Sequence, residues 1–117
     1  MKVSCIIPAY NEEKSIATTL NTITPLLNWD LFEIIVINDS SNDQTQDILN
    51  SYPVQKNLYF IHNTNNLGKS GTVSRGIELA KGDYILLLDS DLLHLTKQNI
   101  IDLIAPIKSW KSRSSIA

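Results

Sequence analysis

The sequence predicts an α/β fold: a Rossmann-like three-layer α/β/α domain on a parallel sheet, with strand order 3-2-1-4. Three observations carry the prediction. Short apolar runs recur at 3–8, 32–37, 58–61 and 85–88, and each is followed by polar turn residues. Between and after them lie segments with apolar residues at helical spacing. An alternation of this kind, joined by right-handed crossovers, gives a sheet flanked by helices. The half-Rossmann order sets the first and last strands side by side.

The first run, Val3-Ser4-Cys5-Ile6-Ile7-Pro8, is β-branched and stopped by proline. Asn11 is the expected cap of the helix that follows, with Glu12 and Glu13 in a first turn that suits the helix dipole. Ile16, Leu20, Ile23 and Leu27 recur on one face of that helix. Pro25 and Asn28 end it, and Trp29 and Phe32 flank the crossover. In the second connection, Ser41 and Gln44 match a capping box for a short helix around Ile48 and Leu49, closed by Tyr52-Pro53. An Asn-rich polar loop over 62–68 leads into a helix expected from about Ser70, with Val73, Ile77 and Ala80 on one face. Gly82 is the expected stop. The run Ile85-Leu86-Leu87-Leu88 reads as a strand buried on both faces, at the centre of the sheet. Thr96 should cap a last helix, and Pro106 should break or kink it.

At 117 residues the chain is one domain, 1–117, long enough to bury roughly two-thirds of its unfolded surface without disulfides or metals. Its formal net charge of −2 gives no reason to expect a nucleic-acid partner. Lys108, Lys111 and Arg113 form a small basic cluster. It is read as a solvated tail, with peripheral contact to an acidic membrane surface as the alternative. The lone Cys5 in a buried run is a small hydrophobe. With no cysteine pair, leader or membrane-spanning run, the expected location is the cytoplasm, the inner face of the membrane included.

The chemistry is expected where the fourth run ends, in Asp89-Ser90-Asp91. Ligands of open α/β sheets sit outside the carboxyl ends of the strands. Two carboxylates spaced i, i+2 there suit Mg2+ or Mn2+ bridging to phosphate oxygens. A plainer alternative is that such an Asp caps the next helix or closes an Asx-turn.

Four blocks carry a family resemblance. They are Cys5-Ile6-Ile7-Pro8-Ala9-Tyr10-Asn11-Glu12, Val36 through Thr45, Asn66-Leu67-Gly68-Lys69, and Gly82-Asp83-Tyr84 through Asp89-Ser90-Asp91. In order and spacing they resemble family 2 glycosyltransferases of the GT-A fold. The resemblance implies a site for a UDP- or GDP-linked sugar, with Pro8, Tyr10 and Glu12 lining nucleobase and ribose. It puts Asp39 on the base, Asp89 and Ser90 near the ribose or donor sugar, and Asp91, with Asp89, on the divalent metal. Lys69 would reach a phosphate. The acceptor, whether glycan, polyprenyl phosphate or lipid, is left open.

Two departures matter. The family commonly has two acids where this chain has Asn38-Asp39. The acceptor half of the fold is also expected to be absent, which makes this a truncated GT-A donor domain with its catalytic base beyond residue 117. His94 and Asp102 are the only later candidates for a base within the chain. The exposed edge of the last strand would then offer a surface for homodimer pairing. A catalytically incomplete nucleotide-sugar-binding fragment is the alternative function. A P-loop NTPase is the rival enzyme class, because Gly68-Lys69-Ser70 resembles the end of a phosphate-binding loop, although Asn63 stands where its first glycine belongs.

Overall fold

The computed structural model describes residues 2–90 and 96–108. In chain order the elements are β1 (Val3–Ala9), α1 (Ile16–Ile23), a 3-10 turn (Thr24–Leu26), β2 (Glu33–Asn38) and α2 (Thr45–Ser51). They continue with β3 (Leu58–His62), α3 (Gly68–Leu79), β4 (Tyr84–Leu87) and α4 (Lys97–Lys108). The four strands pair in parallel in the order β3-β2-β1-β4, as the sequence predicts. The register sets Ala9 beside Asn38 and Asn38 beside His62.

Alternation along the strands divides the core between two faces. On one face Val3, Cys5, Ile7, Ile34 and Val36 pack with Ile16, Leu20 and Ile23 of α1, Leu49 of α2, and Ile100 and Ile104 of α4. On the other, Ile6, Ile35 and Ile37 form a smaller cluster with Ile61, Ala80 and Ile85. There Gly76 brings α3 onto the sheet: a Cβ at 76 would lie 2.6 Å from Ile6 Cγ2 and 2.7 Å from Ile37 Cδ1. Burial pushes the Cys5 thiol far above its ordinary pKa, so it behaves as a core hydrophobe.

Several local expectations are corrected. The strand buried on both faces is β2, all six of whose residues are buried. Among the described residues β4 is an edge strand, and Leu87 is half-exposed. Asn11 does not cap α1. It lies in the left-handed region at φ 54°, and Ser15 is the N-cap residue. Ser41 and Gln44 form no capping box: α2 starts at Thr45, whose N–H and hydroxyl both donate to Asp43 Oδ1 at 2.9 and 2.6 Å. The helix expected from Ser70 begins at Gly68 and ends at Leu79, before Gly82. Gly82 is instead required by close approach, since a Cβ there would lie 2.5 Å from Ser4 Oγ and 2.8 Å from the Lys2 carbonyl. Thr96 does cap α4, through reciprocal 3.1 Å bonds with Asn99. That helix continues past Pro106 to Lys108.

Candidate functional site

A cavity of about 470 Å3 opens at the carboxyl ends of β1, β2 and β4, a size and position typical of small-ligand sites in open α/β sheets. Pro8, Ala9, Tyr10 and Glu12 come from β1 and the loop beyond it, and Asp39 from the end of β2. Asn66, Gly68, Lys69 and Thr72 belong to the entry and first turns of α3, while Asp89 and Ser90 follow β4. The topology therefore gathers Pro8, Tyr10, Glu12, Asp39, Lys69, Asp89 and Ser90 in one place. Asp91 and His94 lie outside the described residues, as do Lys111 and Arg113.

Asp39 is buried at 4% exposure. Its Oδ1 accepts the Leu67 N–H at 2.7 Å and the Asn63 side-chain amide at 2.9 Å, and its Oδ2 accepts the Gly68 N–H at 2.9 Å. Burial pushes this carboxyl up, but the bonds from Leu67, Asn63, Gly68 and Thr72 together outweigh burial, so its pKa sits below the ordinary aspartate value. Asp39 thus supplies the negative charge at the α3 N-terminus. An ionised carboxylate offers about four acceptor positions, so a nucleobase N–H would meet few open ones here.

The same geometry counts against the phosphate-loop alternative. A phosphate-binding loop presents free backbone N–H groups to the anion. At Gly68-Lys69-Ser70 the Leu67 and Gly68 amides already face Asp39.

The loops after β1 and β2 hold each other by side chain-to-backbone bonds. Asn11 N–H donates to Ser41 Oγ at 3.0 Å, Glu12 N–H to Thr45 Oγ1 at 2.9 Å, and Glu13 N–H to Asp43 Oδ2 at 3.2 Å. In return Asn42 N–H donates to Asn11 Oδ1 at 2.7 Å and Gln44 N–H to Glu13 Oε1 at 3.0 Å. The Asn42 amide also donates to the Tyr10 hydroxyl at 3.1 Å, fixing the half-exposed ring at the mouth of the cavity. Ser40 joins Asn11 in the left-handed region, at φ 60°, a conformation whose cost is met by this web.

Beneath the web, Asn38 is fully buried. Its Oδ1 accepts from the Ser41 N–H at 3.1 Å, which turns its amide nitrogen toward His62 Nδ1 at 3.0 Å. His62 Nδ1 is therefore the acceptor, and Nε2–H donates to Asn50 Oδ1 at 3.1 Å. Burial lowers the His62 pKa, in keeping with this neutral form. So Asn38, at the position where the resemblance commonly has an acid, shapes the loop instead.

At the other wall, Lys69 Nζ lies 3.1 Å from Asp89 Oδ1, with both side chains largely exposed. Among the described residues no three His, Cys, Asp or Glu side chains converge on one point. Mg2+ and Mn2+ sites that share the ion with a phosphate need only one or two carboxylates. Asp89 is a carboxylate of that type at the cavity, its Oδ1 paired here with Lys69.

Residues 4–112 match the pattern of the family described as "Glycosyl transferase family 2". The chain belongs to this family. It is 38% identical over 98 residues to a dolichol-phosphate mannosyltransferase of Pyrococcus furiosus, a match covering 80% of the chain and 27% of that protein. The family 2 domain also superposes on the crystal structure of S. aureus TarS 1–349 with a TM-score of 0.76 and 27% identity. That alignment covers all of this chain and 39% of the other. Glucosyl-3-phosphoglycerate synthase from Mycobacterium tuberculosis, crystallised with Mn2+, UDP and glucosyl-3-phosphoglycerate, shares the fold at a TM-score of 0.79 and 24% identity, covering 94% of this chain and 40% of that one. The chain spans 15–27% of the length of three curated relatives that it matches.

The resemblance did not indicate Ala9, Asn66, Gly68 and Thr72 as lining residues, or Asn63 as the partner of Asp39. The Gly68 signal was present in the sequence: a glycine two residues after Asn66 at a loop-to-helix junction.

Proposed function

We propose that this domain binds a nucleoside-diphosphate sugar with a divalent metal, as the donor half of a glycosyltransferase. One observation carries the reading. In a chain of this family, the cavity at the carboxyl ends of β1, β2 and β4 gathers Tyr10, Glu12, Lys69 and Asp89 around an α3 N-terminus already held by Asp39.

The residues divide the work by chemistry. Pro8 and Tyr10 offer flat faces to a nucleobase, and Glu12 accepts from ribose hydroxyls. Lys69 is close enough to Asp89 to exchange that partner for a diphosphate oxygen. Asp89 and Asp91 would hold Mg2+ or Mn2+, which supplies Lewis-acid stabilisation of the departing diphosphate. Asp39 keeps the loop that carries Lys69 in place.

Transfer also needs an acceptor and a carboxylate within reach of its hydroxyl. No residue in the donor cavity is assigned that role. The donor cavity is proposed to bind donor and, without an assigned base or acceptor site, at most to hydrolyse it slowly. The cytoplasm is the proposed location. Pairing of two copies along β4 is a separate proposal, read by light scattering.

Calorimetric titration of UDP and GDP, with and without Mn2+, tests donor binding. Metal-enhanced binding that Asp89→Ala and Asp91→Ala each abolish is the expected result. Unchanged metal dependence in Asp91→Ala would refute the assignment. Nucleotide release from UDP- and GDP-sugars, with and without acceptors, tests turnover. Acceptor-dependent transfer by the 117-residue chain would mean that it contains its own base.

A further inference from the structure

Ser90 stands between Asp89 and Asp91, and its buried main-chain carbonyl accepts two hydrogen bonds from α1. Ser15 Oγ donates at 2.9 Å and Thr19 Oγ1 at 3.1 Å. Ser15, Thr19 and Ser90 are 3%, 0% and 3% exposed. Positions 15 and 19 lie four apart on one helical face, so their hydroxyls reach the same oxygen from neighbouring turns and fill both its lone pairs.

Neither hydroxyl makes the bond expected from its place in the helix. A helical threonine ordinarily turns back to the carbonyl four residues earlier, as Thr22 does to Thr18 at 3.0 Å. Thr19 instead reaches out of its helix to a carbonyl 71 residues away in the chain. Ser15, although the N-cap residue, makes no side-chain capping bond. Its proton is shared between Ser90 and the carboxylate of Glu12, whose Oε2 lies 3.2 Å away. The plane of a peptide is rigid. A carbonyl held from two sides therefore fixes the Ser90 end of the turn that follows Asp89.

We propose that Ser15 and Thr19 are positioning residues for the turn at Asp89-Ser90, holding Asp89 in register with the diphosphate site through the Ser90 carbonyl. The inference rests on the reading that this turn carries the divalent ion. It adds α1 to the donor site and, through Ser15 and Glu12, links the proposed ribose side of the cavity to its metal side. Groups that orient metal ligands without touching the metal commonly matter for affinity by about 10- to 100-fold.

The experiment titrates UDP and GDP by calorimetry, with and without Mn2+, into the 117-residue chain and its Thr19→Val, Ser15→Ala and Thr19→Ser variants. Amide hydrogen exchange around Ser90 is followed without ligand. Thr19→Val should keep the metal-free nucleotide affinity, and it and Ser15→Ala should each lose about 10- to 100-fold of the metal-dependent gain. Exchange should rise locally near Ser90, and Thr19→Ser, which retains the hydroxyl, should behave like the unmodified chain. A full metal-dependent gain in both hydroxyl-deleted variants would overturn the inference. So would a parallel loss of metal-free binding and of global exchange protection, which would mark the hydroxyls as supports of the fold. If the unmodified chain itself shows no Mn2+-dependent gain with either nucleotide, the metal reading fails first and this inference falls with it.

Discussion

The Asp39 carboxylate accepts the Gly68 N–H at 2.9 Å, so the end of β2 grips the first residue of α3 by a charge-assisted bond. Gly68 is at φ +80°, with open space where a Cβ would project. Its glycine is needed for backbone conformation rather than for room. Through this junction one buried carboxylate sets where Lys69 and Thr72 enter the cavity wall.

Asp39→Asn should therefore act first on stability. An Asn side chain has one acceptor oxygen, so at least one of the Leu67, Gly68 and Asn63 donors is left facing an NH2 group. The expected loss is about 2–3 kcal/mol, or on the order of 10 °C in Tm, read by thermal denaturation. A variant as stable as the parent that has lost nucleotide binding would show that Asp39 serves the base directly.

Acid should destabilise the domain in two stages. The His62 pKa is lowered from 6.5 in the fold by burial, so the unfolded chain takes up its proton first. Its contribution is complete above the unfolded value and declines as pH falls below it. Protonation also puts an N–H on Nδ1, against the Asn38 amide. Asp39 and Asp43 both have pKa values lowered from 3.8. For Asp43, burial raises the value, and the Thr45 hydroxyl and the Thr45 and Glu13 N–H groups outweigh it. Their contributions persist above the unfolded value and are lost as pH falls through the lower folded values. Denaturant midpoints measured in steps from pH 7 to 3 should decline, with the first stage absent in His62→Gln.

Gly76→Ala tests the contact between α3 and the sheet. Alanine gains about 1 kcal/mol of helix propensity, but the 2.6 and 2.7 Å approaches to Ile6 and Ile37 force overpacking that costs about 1–3 kcal/mol. A net loss is expected, with nucleotide affinity falling as α3 is pushed off the sheet. A more stable variant would show that the side chains yield freely.

Lys69→Ala should leave stability within about 1 kcal/mol, because its pair with Asp89 is solvent-exposed and surface pairs contribute little. Binding of UDP or GDP should weaken several-fold at low salt and less at high salt. Calorimetry at two ionic strengths checks both. Unchanged affinity at low salt would remove Lys69 from the phosphate site.

By itself the sequence determined the fold class, the strand order and the neighbourhood of the site. Those depend on which segments are apolar, at what period, and where polar turns interrupt them. Ile6, Ile35 and Ile37 declare a buried sheet through local pattern alone. The parallel direction of the strands then places Tyr10, Asp39 and Asp89 at one end of it. Only the tertiary structure decided what those groups do there, because hydrogen-bond partners are chosen across the fold. Nothing near Asp39 in the chain foretells that Leu67 and Gly68 will fill its oxygens, and nothing near Asn38 foretells His62, its neighbour only through the β2–β3 register. Asn11 and Ser41 carry the local signature of helix caps, but the facing loops outcompete it by satisfying each other's amides. Thr19 looks like any threonine on a helix. Its hydroxyl takes on a role only because the sheet order brings the Ser90 carbonyl against α1.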